Sequence, residues 1–360
     1  MTDTSLLKRI RSAILPALGI GVALVAKELR ERSHETDLKG QVALITGGSR
    51  GLGLAIAQEL AGHGCRLAIC ARDEEELGRA VDDLKANGAE VLSIVCDVTS
   101  RSDVDAMVAN VLSHYGQIDS IYAVAGVIEV GELKALEVKD FELAMDVDFW
   151  GALYPILSVL PHMRERKSGH IAIITSIGGK IAVPHLLSYS AAKFAATGLA
   201  QGLSAELAKD GITVTNIVPG LMRTGSHLNA QFKGDPKQQQ REFAWFSVGA
   251  SSPLVPRADR AARIVVRAVR RGEPERVFTA PFVLASRFAG LMPSTTIRMM
   301  RLANALLPSA KGCDEEIDID PGSVVKERTD SPILDIATKL GDKAADDFNQ
   351  KPGPINASQQ

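Results

Sequence analysis

Short apolar runs alternate with amphipathic stretches through the middle of the chain, and this alternation predicts the architecture. Seven runs read as strands: residues 41–46, 66–71, 91–96, 118–124, 170–175, 212–218 and 276–279. Most are near-continuous in Val, Ile, Leu and Ala, which marks strands buried on both faces of a parallel sheet. Helical periodicity fills the gaps between them. Asp73, followed by Glu74, Glu75 and Glu76, reads as a helix start, because a capping carboxylate satisfies free amides and acids favour the positive end of a helix. Asn87 and Gly88 read as its stop. Those acids are accounted for by helix chemistry and point to no metal site. The alternation predicts an α/β fold, a doubly wound parallel sheet. Right-handed crossovers then give the strand order 3-2-1-4-5-6-7, with a ligand crevice over the carboxyl edge where the order reverses.

The pattern changes at both ends. Residues 1–37 carry an uncharged apolar run, 13–26, between Lys8, Arg9 and Arg11 on one side and Lys27, Arg30 and Arg32 on the other. As a helix that run reaches about 21 Å, short of the roughly 30 Å hydrocarbon core. A shallow anchor on the cytoplasmic face of a membrane and a helix packed on the protein both stay open. A cleaved signal is disfavoured, because the run ends in Lys27-Glu28 without a small-x-small site. Residues 38–280 hold the strand–helix pattern and form the predicted nucleotide-binding domain. Residues 281–348 form a helical extension that opens with a basic amphipathic pair broken near Pro293, with Arg287, Arg298 and Arg301 among Leu, Met and Phe. Such a pair suits a partner subunit, a lid, a membrane surface or plain core packing. An acidic linker, 314–320, precedes a helix over 332–348 opened by Ser331 and Pro332, and 349–360 read as a disordered tail.

Composition narrows function more than fold. Charge is nearly balanced, with 41 Lys and Arg against 43 Asp and Glu for a net −2, so no footprint for nucleic acid is present. Cys65, Cys70, Cys96 and Cys313 lack the paired spacing of zinc or redox sites and read as reduced, buried thiols.

Two motifs carry chemistry. Thr46-Gly47-Gly48-Ser49-Arg50-Gly51-Leu52-Gly53 stands between the first strand and the first helix. There Gly47 permits a tight turn, Gly51 lets backbone amides approach a pyrophosphate, and Gly53 lets the helix pack on the strand with its N-terminus toward the anion. The second motif is Tyr189-Ser-Ala-Ala-Lys193. On a helix the phenol and the ammonium share one face, where a fixed positive charge favours the phenolate. Ser176 ends an apolar run, 171–175, that reads as a strand delivering its hydroxyl to the same sheet edge. At the end of the second strand an NAD-selective site places an acid for the ribose 2′-hydroxyl, whereas this chain has Ala71 and then Arg72. Arg72 and Arg50 suit a 2′-phosphate, and the expected cofactor is NADP(H).

Together with Asp97-Val98, Ala125-Gly126, and Pro219-Gly220 followed by Thr224, these residues resemble the single-domain short-chain dehydrogenase/reductase family over residues 38–280. The resemblance implies hydride transfer between NADP(H) and a carbonyl or alcohol substrate. Tyr189 would pass the proton, Ser176 would hold the carbonyl oxygen, and Lys193 would bind the nicotinamide ribose and lower the tyrosine's pKa. It further implies that Asp97 contacts the adenine, that the Ala125-Gly126 backbone lies beneath the adjoining ribose, and that Pro219, Gly220 and Thr224 shape the nicotinamide end. A cytoplasmic homo-oligomer, dimer or tetramer, goes with it. Two departures stand out. The usual Asn-Asn-Ala-Gly is Ala123-Val124-Ala125-Gly126, and the Asn that anchors a relay water corresponds to Asp148. A relay role and a structural role for Asp148 both stay open, because an ionised carboxylate cannot donate a hydrogen bond. The same departures motivate an alternative, a cofactor-binding scaffold without turnover. Phe232, Phe243, Trp245 and Phe246 concentrate rings in a chain with 4% aromatic residues. They read as a lid over a bulky apolar substrate or as packing within the lid itself. Lys233, Lys237 and Arg241 read as solvated, or as a welcome for an acidic group.

Overall fold

The structure, a computed structural model, describes residues 35–308, 318–329 and 331–351. The first half of the chain runs β1 (Val42–Thr46), α1 (Gly51–Gly62), β2 (Arg66–Ala71), α2 (Glu74–Ala86), β3 (Val91–Val95), α3 (Arg101–Tyr115), β4 (Ser120–Ala123), β5 (Glu129–Val130), α4 (Val138–Met145), α5 (Gly151–Arg166), β6 (Gly169–Ile174) and α6 (Leu187–Leu207). It continues with β7 (Ile212–Val218), β8 (Gln231–Gly234), α7 (Pro236–Ser251), α8 (Ala258–Arg270), β9 (Glu275–Val277), α9 (Ala280–Leu291), α10 (Pro293–Asn304), β10 (Asp318–Pro321), α11 (Gly322–Glu327) and α12 (Pro332–Asp347).

Seven strands pair in parallel in the order β3-β2-β1-β4-β6-β7-β9. Numbered within that sheet, this is the expected 3-2-1-4-5-6-7. The central β1 is buried along its whole length, which is why it reads as an unbroken apolar run. Helices cover both faces. Ile56 and Leu60 of α1 pack with Val265 and Val269 of α8 on one side, and Met107 of α3 packs with Ile156 and Val159 of α5 on the other. Val138–Arg166 is, among the described residues, one helical stretch long and apolar enough to cross a membrane, and half of it is buried inside this fold. The apolar run 13–26 lies outside the described residues.

The extension differs from its expected form. β10, β8 and β5 make a second, three-stranded sheet, with β10 antiparallel and β5 parallel to β8. Residues 318–320, expected in an acidic linker, are therefore strand; backbone pairing is compatible with their charge because Asp318 stays at the surface and Asp320 pairs with Arg328 at 2.6 Å. The helix pair breaks at Pro293 as expected, but it does not pack into the core: Leu284, Leu291 and Leu302 are each more than 70% exposed. α12 starts at Ser331, whose hydroxyl accepts the Leu334 amide at 3.4 Å. Residues 349 and 350, expected in a disordered tail, are held against the glycine loop, and Lys351 pairs with Asp346.

Asp342 of α12 fastens the extension. It accepts from His227 Nε2 at 3.2 Å, Lys326 Nζ at 2.6 Å and Thr338 Oγ1 at 3.1 Å. Burial works to raise its pKa, yet the His227 and Lys326 bonds outweigh it and hold the carboxyl at about 2. A depressed carboxylate stabilises the fold above its unfolded value near 4, and that contribution is lost as pH falls toward 2. Melting of Asp342→Asn therefore falls below wild type by a constant margin of about 1–2 kcal/mol above pH 5, allowing for partial solvent screening. The margin closes between about pH 4 and 2. A margin independent of pH would mean that the ion pair contributes nothing.

Candidate active site

Strands β1, β4, β6 and β7 end along one edge, and the candidate chemistry gathers there. Past β6, the Thr175 amide donates to the Ile217 carbonyl at 2.8 Å and its hydroxyl to Asn216 Oδ1 at 2.7 Å. This locks the strand end to β7 and presents Ser176 in an extended conformation, with Oγ accepting the Gly178 amide at 3.0 Å. Tyr189 and Lys193 lie one turn apart near the start of α6, so they share a face. The Ser176 hydroxyl stands on the Tyr189 side of the site and works to lower the phenol's pKa. A Cβ added at Gly178 would stand 3.1 Å from the tyrosine ring and 3.4 Å from Ser176 Oγ, so both groups close around that glycine. Lys193 Nζ is 5.7 Å from the centre of the Tyr189 ring.

Lys193 is buried and donates to the Ile174 carbonyl and to Asp148 Oδ1, both at 3.1 Å. Asp148 sits in a π-helical turn, Asp146–Trp150, between α4 and α5; such turns recur at functional sites. Its Oδ1 also accepts the Val127 amide at 3.2 Å, while Oδ2 has no partner among the described residues. A Cβ at Gly126 would lie 2.6 Å from Asp148 Oδ1, so glycine there is what lets the carboxylate reach the lysine.

The three titrations are coupled by geometry. Burial raises the Asp148 pKa, with Lys193 and the Val127 amide pulling against it. Burial disfavours the Lys193 charge, but Asp148 and Tyr189 prevail and its pKa rises. The Tyr189 phenol is raised too: burial dominates, Lys193 opposes, and Asp148 adds to the rise. This corrects the expectation of a lowered phenol. The lysine acts in the expected direction, but a carboxylate partner cancels much of its field and burial wins.

Beside these groups lies a crevice of about 620 Å³, within the range of ligand clefts. Gly47, at φ +64°, brings its turn so near Ala125 that a Cβ would stand 2.9 Å from that residue's backbone. Thr46 Oγ1 accepts the Val124 and Ala125 amides at 3.1 and 3.3 Å, bracing the turn in which the family's amide side chains are missing. Asp97 accepts the Thr99 amide and hydroxyl at 2.9 and 2.8 Å. The crevice is lined by Gly47, Ser49, Arg50, Leu52, Gly53, Arg72, Asp97, Val98, Ala125, Gly126, Asp148, Tyr189, Lys193, Pro219 and Thr224. Gly51 and Gly220 are covered instead, by Gln350 and by the Phe282 ring. Ser176 does not line it; it stands behind Tyr189 across Gly178. A glycine cradle, a helix N-terminus and the exposed guanidinium of Arg72 are a set that fits a dinucleotide.

The family model for short chain dehydrogenase matches residues 41–233. The chain belongs to the short-chain dehydrogenase family. This oxidoreductase is 33% identical over 268 residues to the candidate oxidoreductase SadH of Mycobacterium tuberculosis, covering 74% of this chain and 95% of that one. It is similar in structure to levodione reductase, with a TM-score of 0.58 and 27% identity over 66% of this chain and 95% of the other. A short-chain dehydrogenase from Burkholderia phymatum in complex with NAD shares the fold, with a TM-score of 0.65 at 22% identity over 77% of this chain and all of the other.

Several assignments in this short-chain dehydrogenase change. Arg50 is not free for a phosphate: its Nη1 lies 2.9 Å from both Glu76 Oε2 and Asn229 Oδ1. Glu76, read from sequence as helix chemistry, does have its amide on Asp73 at 2.8 Å, but its carboxylate also takes the Ser49 hydroxyl at the crevice wall. Phe232, Phe243 and Phe246 are buried in a cluster of their own with Val130, Leu186 and Val325, and do not line the crevice. Lys233 is neither solvated nor facing a ligand, since it is buried 2.5 Å from Asp140; Lys237 and Arg241 are exposed. Cys65, Cys70 and Cys96 are buried free thiols, and Cys313 lies outside the described residues. Cys70 and Cys96, unrelated by spacing, lie at neighbouring strand ends, and Cys96 together with burial pushes the Cys70 thiol up.

Proposed function

We propose that this short-chain dehydrogenase is an NADP(H)-dependent enzyme that reduces a ketone or aldehyde, or oxidises the corresponding secondary alcohol, through Ser176, Tyr189 and Lys193. The observation that carries the reading is the convergence of Ser176 and Tyr189 around Gly178, with the Lys193 ammonium beside the tyrosine ring, at the wall of a dinucleotide-sized crevice. When bound, the cofactor supplies or accepts the hydride. Tyr189, protonated at neutral pH, gives its proton to the developing alkoxide, and Ser176 holds the carbonyl oxygen in place. Of the three Lys193 donors, Ile174 and Asp148 take one each, leaving the third for a ribose hydroxyl. Asp148 is a positioning residue that fixes the lysine. The alternative, a silent scaffold, is disfavoured because all three working side chains converge. Because the aromatic rings of the lid face its own core, the reading commits to the reaction and not to the size of the substrate. A screen of NADPH oxidation against ketones, aldehydes and quinones tests it, and binding without turnover of any of them would favour the scaffold.

The choice of NADP(H) is supported by Ala71 and the exposed Arg72 at the end of β2. Binding titrations are expected to give NADPH at least about tenfold tighter than NADH, with Arg72→Ala losing roughly tenfold for NADPH and less than about twofold for NADH. Equal wild-type affinities would overturn the preference. The same reading puts the enzyme in the cytoplasm as a dimer or tetramer. The exposed apolar side chains and arginines of α9 and α10 support a surface contact there.

A further inference from the structure

Residues 348–350 cross the mouth of the crevice. The Gly51 amide donates to the Phe348 carbonyl at 2.8 Å. The side-chain amide of Asn349 donates to the Ser49 and Glu76 carbonyls at 2.9 and 3.0 Å, and its Oδ1 accepts Arg79 Nε at 3.0 Å. Asn349 has φ +52°, a left-handed conformation that asparagine tolerates better than most residues. Gln350 then reaches the opposite bank, the loop after β7. There Asn229 Nδ2 donates to its backbone carbonyl at 2.8 Å and to its Oε1 at 2.6 Å.

This tie is rigidly mounted. Phe348 is 3% exposed and joins the core between α1 and α8. The neighbouring Ala345 leaves no room for a side chain at Gly225, which has φ +84°. Gln350 is 6% exposed, lines the crevice and packs on Gly51. At the N-terminus of α1, Gly51 is satisfied by Phe348 and Leu54 by Arg50, whereas the Leu52 and Gly53 amides find no acceptor among the described residues. The side-chain NH2 of Gln350 thus stands next to amides aimed at an anion.

We infer that residues 348–350 are a clasp belonging to the dinucleotide site: Gln350 and the Leu52 and Gly53 amides face the pyrophosphate, and the bond between Gln350 and Asn229 holds the two banks shut over it. The inference rests on the proposed dinucleotide dependence and concerns residues beyond the stretch that the family model matches. With both banks joined, a bound dinucleotide leaves only after the clasp parts, so the effect falls on release.

The test uses the full chain carrying Asn349→Ala with Gln350→Ala, and separately Asn229→Ala, each checked for folding by circular dichroism and melting. Binding of NADPH and NADH is followed by nucleotide fluorescence, and release by stopped-flow displacement. Either variant is expected to weaken binding of whichever dinucleotide the wild type takes by about tenfold, carried mainly by faster release. Combining them is less than additive, because both remove the Gln350–Asn229 bond, while Asn229→Ala also frees Arg50. Folded variants that bind as tightly as wild type would overturn the clasp alone. Tighter binding would overturn it too, showing a plug that competes with the nucleotide. A wild type that binds neither dinucleotide would overturn the functional reading and the clasp together.

Discussion

Tyr189→Phe lowers kcat for carbonyl reduction by on the order of 10²–10⁴-fold, the usual worth of a positioned proton donor, while the dissociation constant for NADPH stays within about twofold. The exchange keeps the ring that packs beside Gly178 and removes only the phenol hydroxyl. Ser176 retains its bond from Gly178, so stability changes little. Steady-state rates and a binding titration on the same preparation separate the two effects, and a variant keeping more than about a tenth of wild-type turnover would remove the tyrosine from the chemistry. The raised phenol adds a pH signature. Reduction needs the protonated form and stays flat through neutrality, whereas alcohol oxidation needs the phenolate and climbs as pH rises toward the tyrosine's pKa.

Asp148→Ala is expected to cost about 3–5 kcal/mol of stability in chemical denaturation, the usual result of leaving a buried charge unpaired. Lys193 would keep only the Ile174 carbonyl. Asp148→Asn should lose less than half of that, because an amide oxygen still accepts from Lys193 and Val127, and its kcat should stay within a fewfold. Removing the carboxylate also removes an influence that raises the Tyr189 phenol, so the rising limb of the oxidation profile moves to lower pH in the Asn variant. An Ala variant as stable as wild type would show that the pair does not form in solution. An Asn variant with an unmoved profile would detach Asp148 from the tyrosine's ionisation.

What could be read in advance was local or strictly periodic. The inner parallel strands announce themselves because both their faces are buried, and Tyr189 and Lys193 because four residues make one helical turn. Glu76 is legible only in part: its amide does serve the helix start, but nothing local shows that its carboxylate also turns to Ser49 and Arg50. The small sheet was harder to see, since β5 has two residues and β10 is Asp-Ile-Asp-Pro. Neither carries a periodic signal, and only pairing across some hundred residues creates them. Lys233 against Asp140, and Gln350 against Asn229, are long-range polar matches of the same kind. The aromatic residues of the lid are apolar in either setting, so their inward packing becomes apparent only with Val325 and Leu186 in place.

The three-stranded sheet bears on biosynthesis. All seven strands of the main sheet exist once Val277 has been translated, but β10 and the residues that bridge the two banks come afterwards, with residue 350 following roughly 4–15 s later at ordinary elongation rates. A nascent polypeptide therefore passes through a stage with its crevice built and its mouth open, and on the clasp inferred above a dinucleotide captured in that interval would be held by residues the ribosome adds later.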